Sequence, residues 1–333
     1  MSQHLSKFSA FKDLVNAYLV SFLSTSRNGS SRGEPASLYE PIRYAMEGNG
    51  KRIRPVLLLL SCDALGGSAQ QALPAAAAVE LMHNFTLVHD DIMDRDETRR
   101  GRPTVHRKWN TDIAILAGDG LVVLAYQSLL KTETSQLGRI SEIFTNGILE
   151  ICEGQALDAD FEHDDHVTMA RYETMIMKKT ARLLAICTQI GAILGNAAKP
   201  QILAFKNFAE HLGLAFQIQD DLLDITVEQT VLGKDFGSDV RRHKRTFLYV
   251  HAMENGRDEQ RAALRAIFAK PVIDDDDLLA VQKHFRESGA IDAAAFAVRT
   301  HLAEANRNLA ELALGADVTE LQNLVQMILH RKA

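Results

Sequence analysis

Apolar residues recur along this chain at three- and four-residue intervals and almost nowhere in strict alternation. From Ser6 to Ser24 they fall at Phe8, Phe11, Leu14, Val15, Tyr18, Leu19 and Phe22, which is one face of a helix. Asn28 to Pro35, rich in Ser, Gly and Arg, reads as a loop. Tyr39 to Glu47 predicts a short helix stopped at Gly48-Asn49-Gly50. Pro55 suits the first position of the next helix, and Leu57 to Leu60, apolar all round, make that helix a central one. Pro74 is expected to open the helix that runs through Asp94, and Arg99 to Pro103 breaks the pattern. Further helices are predicted over Thr111–Leu130, Ile140–Ala159, Val167–Leu194 and Pro200–Thr226. Glu228 to Arg245 lacks apolar periodicity and reads as a loop, with two or three helices after it. No run of Val, Ile and Thr alternates between turn signals, so the expected fold is all-α. There is no internal repeat, low-complexity tract or linker. Residues 1–333 therefore read as a single domain, although length alone would suggest roughly two.

Composition narrows the class. Hydrophobic residues make up 46% of the chain and charged residues 24%, enough apolar surface to offset the entropy of ordering. A net charge of −6 argues against nucleic acid as a partner. Cys62, Cys152 and Cys187 lie far apart without a CxxC pair, which argues against a disulfide scaffold and points to a reducing, cytoplasmic setting. No uninterrupted apolar run approaches the ~18 residues of a membrane span, and Met1 to Asn16 lacks the apolar core of a signal peptide.

The most informative feature is Asp90-Asp91-Ile92-Met93-Asp94, which recurs as Asp220-Asp221-Leu222-Leu223-Asp224. Both are DDxxD, and both end helices that are otherwise strongly apolar. On a helix, positions i and i+4 lie on one face ~6 Å apart, so Asp90 pairs with Asp94 and Asp220 with Asp224. Crowded carboxylates repel, and the negative end of the helix dipole adds to the repulsion, so a cation belongs there. Oxygen-only ligands suit Mg²⁺, which takes one or two carboxylates together with waters and substrate phosphate. Basic groups accompany the acids: Lys51, Arg52 and Arg54; Arg99, Arg100 and Arg102; Lys178 and Lys179, next to Thr180; Lys234; and Arg241 to Arg245. Arginine and lysine beside a divalent cation is the chemistry of polyphosphate recognition. No P-loop and no Rossmann glycine fingerprint is present. A diphosphate head with a hydrocarbon tail would suit both the charged groups and the apolar helices. Other acids read as structural: Asp164-Asp165 as a cap, Asp274 to Asp277 as a turn and N-cap, and Asp119 as a buried acceptor.

With these motifs in place the sequence resembles the trans-isoprenyl diphosphate synthases, from about Tyr39 to Tyr249. The resemblance is carried by GNGKRIRPVLLLL (48–60), HNFTLVHDDIMDRDETRRGRPTVH (83–106), ILAGD (115–119), GQALD (154–158), MIMKKTA (175–181), FQIQDDLLD (216–224) and GKDFGSD (233–239). It implies an all-α bundle around a deep cavity, a homodimer, and head-to-tail condensation of isopentenyl diphosphate with an allylic diphosphate (dimethylallyl, geranyl or farnesyl). It implies three Mg²⁺ ions, replaceable by Mn²⁺. Asp90 and Asp94 would hold two, supported by Asp91; Asp220 would hold the third, with Asp221 and Asp224 nearby. It further implies Lys51, Arg54, His83 and Arg100 as the isopentenyl diphosphate site. Arg99, Lys179, Thr180, Gln217, Lys234 and Lys244 would surround the allylic diphosphate and the cation formed from it, with His89 left to helix packing. Two departures from the family pattern stand out: His243 replaces the usual Gly before Lys244, and Thr246-Phe247-Leu248 replaces Thr-Leu-Pro. Both leave open whether Lys244 or Arg245 meets the diphosphate. The basic tail Arg331-Lys332 is a candidate to close over the isopentenyl site.

In the family, the residues four and five before the first Asp influence product length. Here they are Thr86 and Phe85, with Met82 one turn further down. A single aromatic at Phe85, with no insertion in the DDxxD, resembles the geranylgeranyl (C20) class, with farnesyl (C15) and C25 or longer products as alternatives. Rotation alone does not place Phe85 on the Asp90 face, whereas Thr86 is nearly aligned with it. The competing readings are a class I terpene cyclase, a metal phosphohydrolase prompted by His89-Asp90, and a non-catalytic helical subunit. Lys51, Arg54 and Arg100 separate the first from a prenyltransferase, and retention of both acidic motifs argues against the last.

Overall fold

The computed structural model describes residues 5–25, 33–48, 50–226 and 237–329. The chain is all-α. In order the helices are α1 (Leu5–Ser24), α2 (Ala36–Met46), α3 (Ile53–Asp63), α4 (Ala69–Met93), α5 (Val105–Lys108), α6 (Thr111–Leu129), α7 (Leu137–Phe161), α8 (Met169–Ile176), α9 (Arg182–Leu194) and α10 (Lys199–Thr226). A π-helical turn, Met177–Ala181, joins α8 to α9. Among the described residues the only strands are Thr98–Arg99 and Arg102–Pro103, paired as a small antiparallel hairpin. Helices Ser238–Arg241, Phe247–Asn255, Asp258–Phe268, Asp275–Glu287, Ala290–Leu312 and Thr319–Leu329 complete the described chain.

Several boundaries differ from the periodicity reading, each for a local reason. Pro55 is the third residue of α3, still within the first turn, where its missing N–H removes no helical bond. Pro74 lies inside α4, because Ser68 caps the helix earlier by accepting from the Gln71 amide. The region after Arg245 holds five helices rather than two or three. Its breaks are turns of only a few residues, such as Ser288-Gly289 with Gly289 at φ +75°, which apolar periodicity does not resolve. Asp274 does cap its helix, in a reciprocal capping box with Asp277. Asp119 is exposed on α6 rather than a buried acceptor. Helix α6 is long and apolar enough to cross a membrane by composition alone, with 44% of that window buried. It carries Asp112 and Asp119 on its exposed side, next to Leu116 (53% exposed) and Val123 (56% exposed).

The chain divides into two compact units. One comprises Met1–Thr145, Ile186–Lys206 and Glu311–Asn323; the other comprises Asn146–Ala185, Asn207–Ala310 and Leu324–Ala333. In the first, α4 packs on α3 and α6. Ala75 to Ala78 are fully buried there, as are Val56 to Leu59 of α3. Alanine favours the helix intrinsically and its small side chain lets neighbouring helices approach closely. The second unit is filled by large side chains, with Phe161, Tyr172, Phe208 and Phe285 almost wholly buried.

Candidate functional site

In the first unit the acidic cluster ends α4. Asp90 and Asp94 are half-buried, and Asp91 between them is 3% exposed. After α4 the chain turns through Arg95 in the left-handed region, and the hairpin returns Arg99 to the cluster. Arg99 Nε donates to Asp91 Oδ1 at 2.5 Å, and Thr104 Oγ1 donates to the Asp96 carbonyl at 2.7 Å, which pins the hairpin base. Burial pushes the Asp91 carboxyl up to about 6, against the opposing pull of Arg99. Asp91 is thus the anchor of its motif, while Asp90 and Asp94 share the outer face.

Arg100 also adopts a left-handed conformation (φ 54°). Its guanidinium lies over the Gly48–Gly50 turn, where a Cβ added to Gly50 would sit 2.9 Å from Arg100 Nη1 and 3.2 Å from Arg52 Nη1. Only glycine leaves room for both cations. Arg52 is held by three bonds: Nε to Asn16 Oδ1 (3.0 Å), Nη1 to Glu80 Oε1 (2.5 Å) and Nη2 to the Met46 carbonyl (2.7 Å). Asn84 Nδ2 donates to the same Glu80 oxygen at 3.1 Å. Arg52 itself is left-handed (φ 54°), at a cost of roughly 1–2 kcal/mol that these bonds offset. The clamped turn places Lys51 at the surface and starts α3 so that Arg54 Nη1 meets His83 Nε2 at 3.0 Å. Burial first, and then the nearby Arg54, Arg100, Arg99 and Arg52, hold His83 well below the ordinary histidine value. Asn84, Asp91, Arg99 and Arg100 line one cleft together with Tyr44 and Gly48.

The candidate length-determining residues lie on α4. Met82 is fully buried. Phe85 is half-buried and sets its ring edge-on to His89, centroids 4.7 Å apart. Thr86 is half-buried, its hydroxyl donating to the His83 carbonyl. His89 packs toward α6, with Nε2 3.4 Å from the Ile115 carbonyl.

In the second unit the acidic motif ends α10. Asp221 accepts from Tyr172 Oη (2.6 Å), Gln217 Nε2 (2.9 Å) and the Phe247 amide (3.0 Å). Burial raises it to about 6. Asp224 accepts from the Ser238 amide and hydroxyl and the Asp239 amide, and so caps the helix Ser238–Arg241. Asp220 stays half-buried on the outer side. Thr180 Oγ1 donates to Gln217 Oε1 at 2.9 Å, which orients the Gln217 amide toward Asp221. Thr180 and Lys179 both belong to the π turn, and Gly154 of α7 makes that turn possible, since a Cβ there would lie 2.3 Å from the Lys179 amide nitrogen. Lys179 Nζ and Lys244 Nζ both contact Asp158 Oδ2, at 2.6 and 2.9 Å.

Lys244 and Arg245 have different surroundings. Arg245 is 6% exposed, stacks over Tyr249 and Phe268, and donates to the Glu162 and Asp164 carbonyls. Lys244 is the one grouped with Lys179. His243 stands at φ 58°, where glycine is the least strained residue, and its Nδ1 lies 3.0 Å from the Phe268 carbonyl oxygen. Asp164 closes a turn, accepting from the His166 amide, rather than capping a helix. Lys234, most of GKDFGSD and Arg331-Lys332 lie outside the described residues.

Four residues of this network escaped the sequence reading: Glu80, Asn84, Asp158 and Tyr172. Glu80 carried a signal, as a charge inside the apolar run Ala75–Met82. Asp158 ends the GQALD motif, but its partners lie 21 and 86 residues away in sequence.

A family model described as polyprenyl synthetase matches residues 35–284. The chain is 45% identical over 224 residues to a geranylgeranyl diphosphate synthase of Methanosarcina mazei, covering 67% of this chain and 69% of that protein. It is 41% identical over 244 residues to a geranylfarnesyl diphosphate synthase of Natronomonas pharaonis, covering 68% and 71%. Among solved structures, geranylgeranyl pyrophosphate synthetase from Pyrococcus horikoshii superposes with a TM-score of 0.90 at 34% identity, over 99% of this chain and all of that one.

Proposed function

The chain belongs to the polyprenyl synthetase family, and from that premise we propose that it joins isopentenyl diphosphate head-to-tail to an allylic diphosphate (dimethylallyl, geranyl or farnesyl). The products are diphosphate and an all-trans prenyl diphosphate, chiefly the C20 geranylgeranyl compound. The observation that carries this reading is the hydrogen-bonded series Thr180–Gln217–Asp221–Tyr172, which runs through the second acidic motif, together with the two lysines paired on Asp158. It joins oriented dipoles for a cation to groups for a diphosphate. The geranylgeranyl synthase relatives support the C20 length.

In this reading Lys51, Arg54, His83 and Arg100 hold isopentenyl diphosphate. His83, kept neutral, serves as a hydrogen-bonding partner rather than a base. Arg99, Lys179, Lys244 and the undescribed Lys234 hold the allylic diphosphate. The Thr180 hydroxyl and Gln217 carbonyl dipoles face the allylic cation and stabilise it without bonding to it. The isopentenyl double bond attacks that cation, and the proton then lost goes to the released diphosphate. Apolar walls exclude the water that would quench the cation. The carboxylate oxygens of Asp90, Asp94 and Asp220 fit a hard divalent ion. Mg²⁺ takes one or two carboxylates and completes its shell with water and substrate phosphate. We assign two ions to Asp90 and Asp94 and a third to Asp220, with Mn²⁺ able to substitute. Bound there, the metal would draw charge onto the leaving diphosphate and weaken the allylic C–O bond.

The exposed apolar side of α6 supports a homodimer, and a cytoplasmic location belongs to the same reading. A second length, C25, is favoured by the Natronomonas pharaonis relative and by the flexible Met82 beneath Phe85. The test is diphosphate release by purified protein. Release that needs Mg²⁺, isopentenyl diphosphate and an allylic primer together supports condensation. Release of phosphate from one substrate alone contradicts it.

A further inference from the structure

Asp158 lies near the end of α7, buried to 7% exposure, one turn before Glu162. Its Oδ2 is shared by two ammonium groups, Lys179 Nζ at 2.6 Å and Lys244 Nζ at 2.9 Å, and Lys244 Nζ also reaches Glu162 Oε1 at 2.7 Å. The lysines arrive on different elements. Lys179 rides on the π turn seated against Gly154 of the same helix. Lys244 follows the helix Ser238–Arg241, whose start is capped by Asp224. Its own amide bonds the Asp239 carbonyl at 3.0 Å, and Arg245 next to it donates to carbonyls beyond the end of α7. The backbones beneath both lysines are therefore fixed, but lysine side chains keep much rotamer freedom, and like charges at close range repel. A buried anion between them removes both difficulties. Burial alone would raise the Asp158 carboxyl; Lys179 and Lys244 outweigh it and hold the group below the ordinary aspartate value.

We propose that Asp158 is a positioning residue, whose carboxylate gathers the Lys179 and Lys244 ammonium groups into one cationic pair that receives the diphosphate of the allylic substrate. The proposal rests on the prenyl-transfer reading above. It assigns a purpose to the last residue of Gly154–Asp158: the glycine seats the backbone of the π turn, and the aspartate one helical turn on seats its lysine.

The test combines steady-state kinetics with calorimetric binding of inorganic diphosphate in the presence of Mg²⁺, the second readout being independent of turnover. Asp158→Asn is expected to raise KM for the allylic substrate about tenfold, to leave KM for isopentenyl diphosphate within about twofold, and to weaken diphosphate binding about tenfold. Asp158→Glu, which keeps the charge, is expected to recover most of both losses. Glu162→Gln removes only one contact to Lys244 and is expected to raise the allylic KM about threefold. If Asp158→Asn does not fold, the Glu162→Gln result carries the test, and an unchanged allylic KM there overturns the proposal. It is also overturned if Asp158→Asn binds both substrates and diphosphate as wild type, or loses both substrates equally, as a general loss of fold would. Failure of the underlying reading looks different, because then the wild type itself elongates no primer.

Discussion

The two DDxxD motifs divide labour in the same way at the residue scale. In each, the second aspartate is buried and anchored, Asp91 by Arg99 and Asp221 by Tyr172, Gln217 and the Phe247 amide. The first stays on the outer face. His83 shows how burial, reinforced by a charged neighbourhood, sets a proton. Buried and then surrounded by arginines, it is expected to remain neutral at pH 6, where an ordinary histidine (value 6.5) is mostly protonated. Imidazole nitrogen shifts in labelled protein read this directly, and a protonated His83 at pH 6 would contradict it. The sign follows for stability. The unfolded chain binds the proton below ~6.5 and the folded one only at lower pH, so this residue's contribution is fully present above ~6.5 and is lost progressively as pH falls from there toward the folded value. Phe85 carries the length prediction. Phe85→Ala is expected to lengthen the product by one or more C5 units, read by sizing the dephosphorylated alcohol; an unchanged product removes Phe85 as the gate.

At the scale of elements, the helices were legible because apolar spacing reports them, and the acidic motifs because their spacing is chemistry in itself. The π turn was not legible. MIMKKTA has ordinary helical periodicity, and one extra residue per turn leaves no mark on it. Its trace lies elsewhere, in Gly154. Gly154→Ala is expected to force α7 off the Lys179 backbone, destabilising the fold by about 1–3 kcal/mol and lowering turnover, as read by denaturant midpoint and by rate. A wild-type midpoint would show that the contact gives way freely. The hairpin Thr98–Pro103 was legible only as a break, since two-residue strands carry no alternation. Its purpose, returning Arg99 to Asp91, appears only once α4 has ended.

At the scale of the whole molecule, what could be read from sequence was the list of charged groups, not their grouping. Lys179 and Lys244 were both candidates, yet the carboxylate that joins them was not, because pairing across 86 residues depends on the fold. Oligomerisation belongs at this scale too. If the proposed homodimer forms through α6, Leu116→Arg is expected to give a monomer by light scattering where the wild type gives a dimer, because charge on an apolar interface carries a desolvation penalty. A dimer that persists would place the interface elsewhere. The central claim is prenyl transfer to a C20 product, and the most direct test is a product assay. Protein, Mg²⁺ and labelled isopentenyl diphosphate are incubated with dimethylallyl, geranyl or farnesyl diphosphate in turn, and the dephosphorylated alcohols are sized. A C20 alcohol from each accepted primer is the predicted result. A C15 or C25 limit would keep the chemistry and contradict the length, and no elongation from any primer would contradict the account itself.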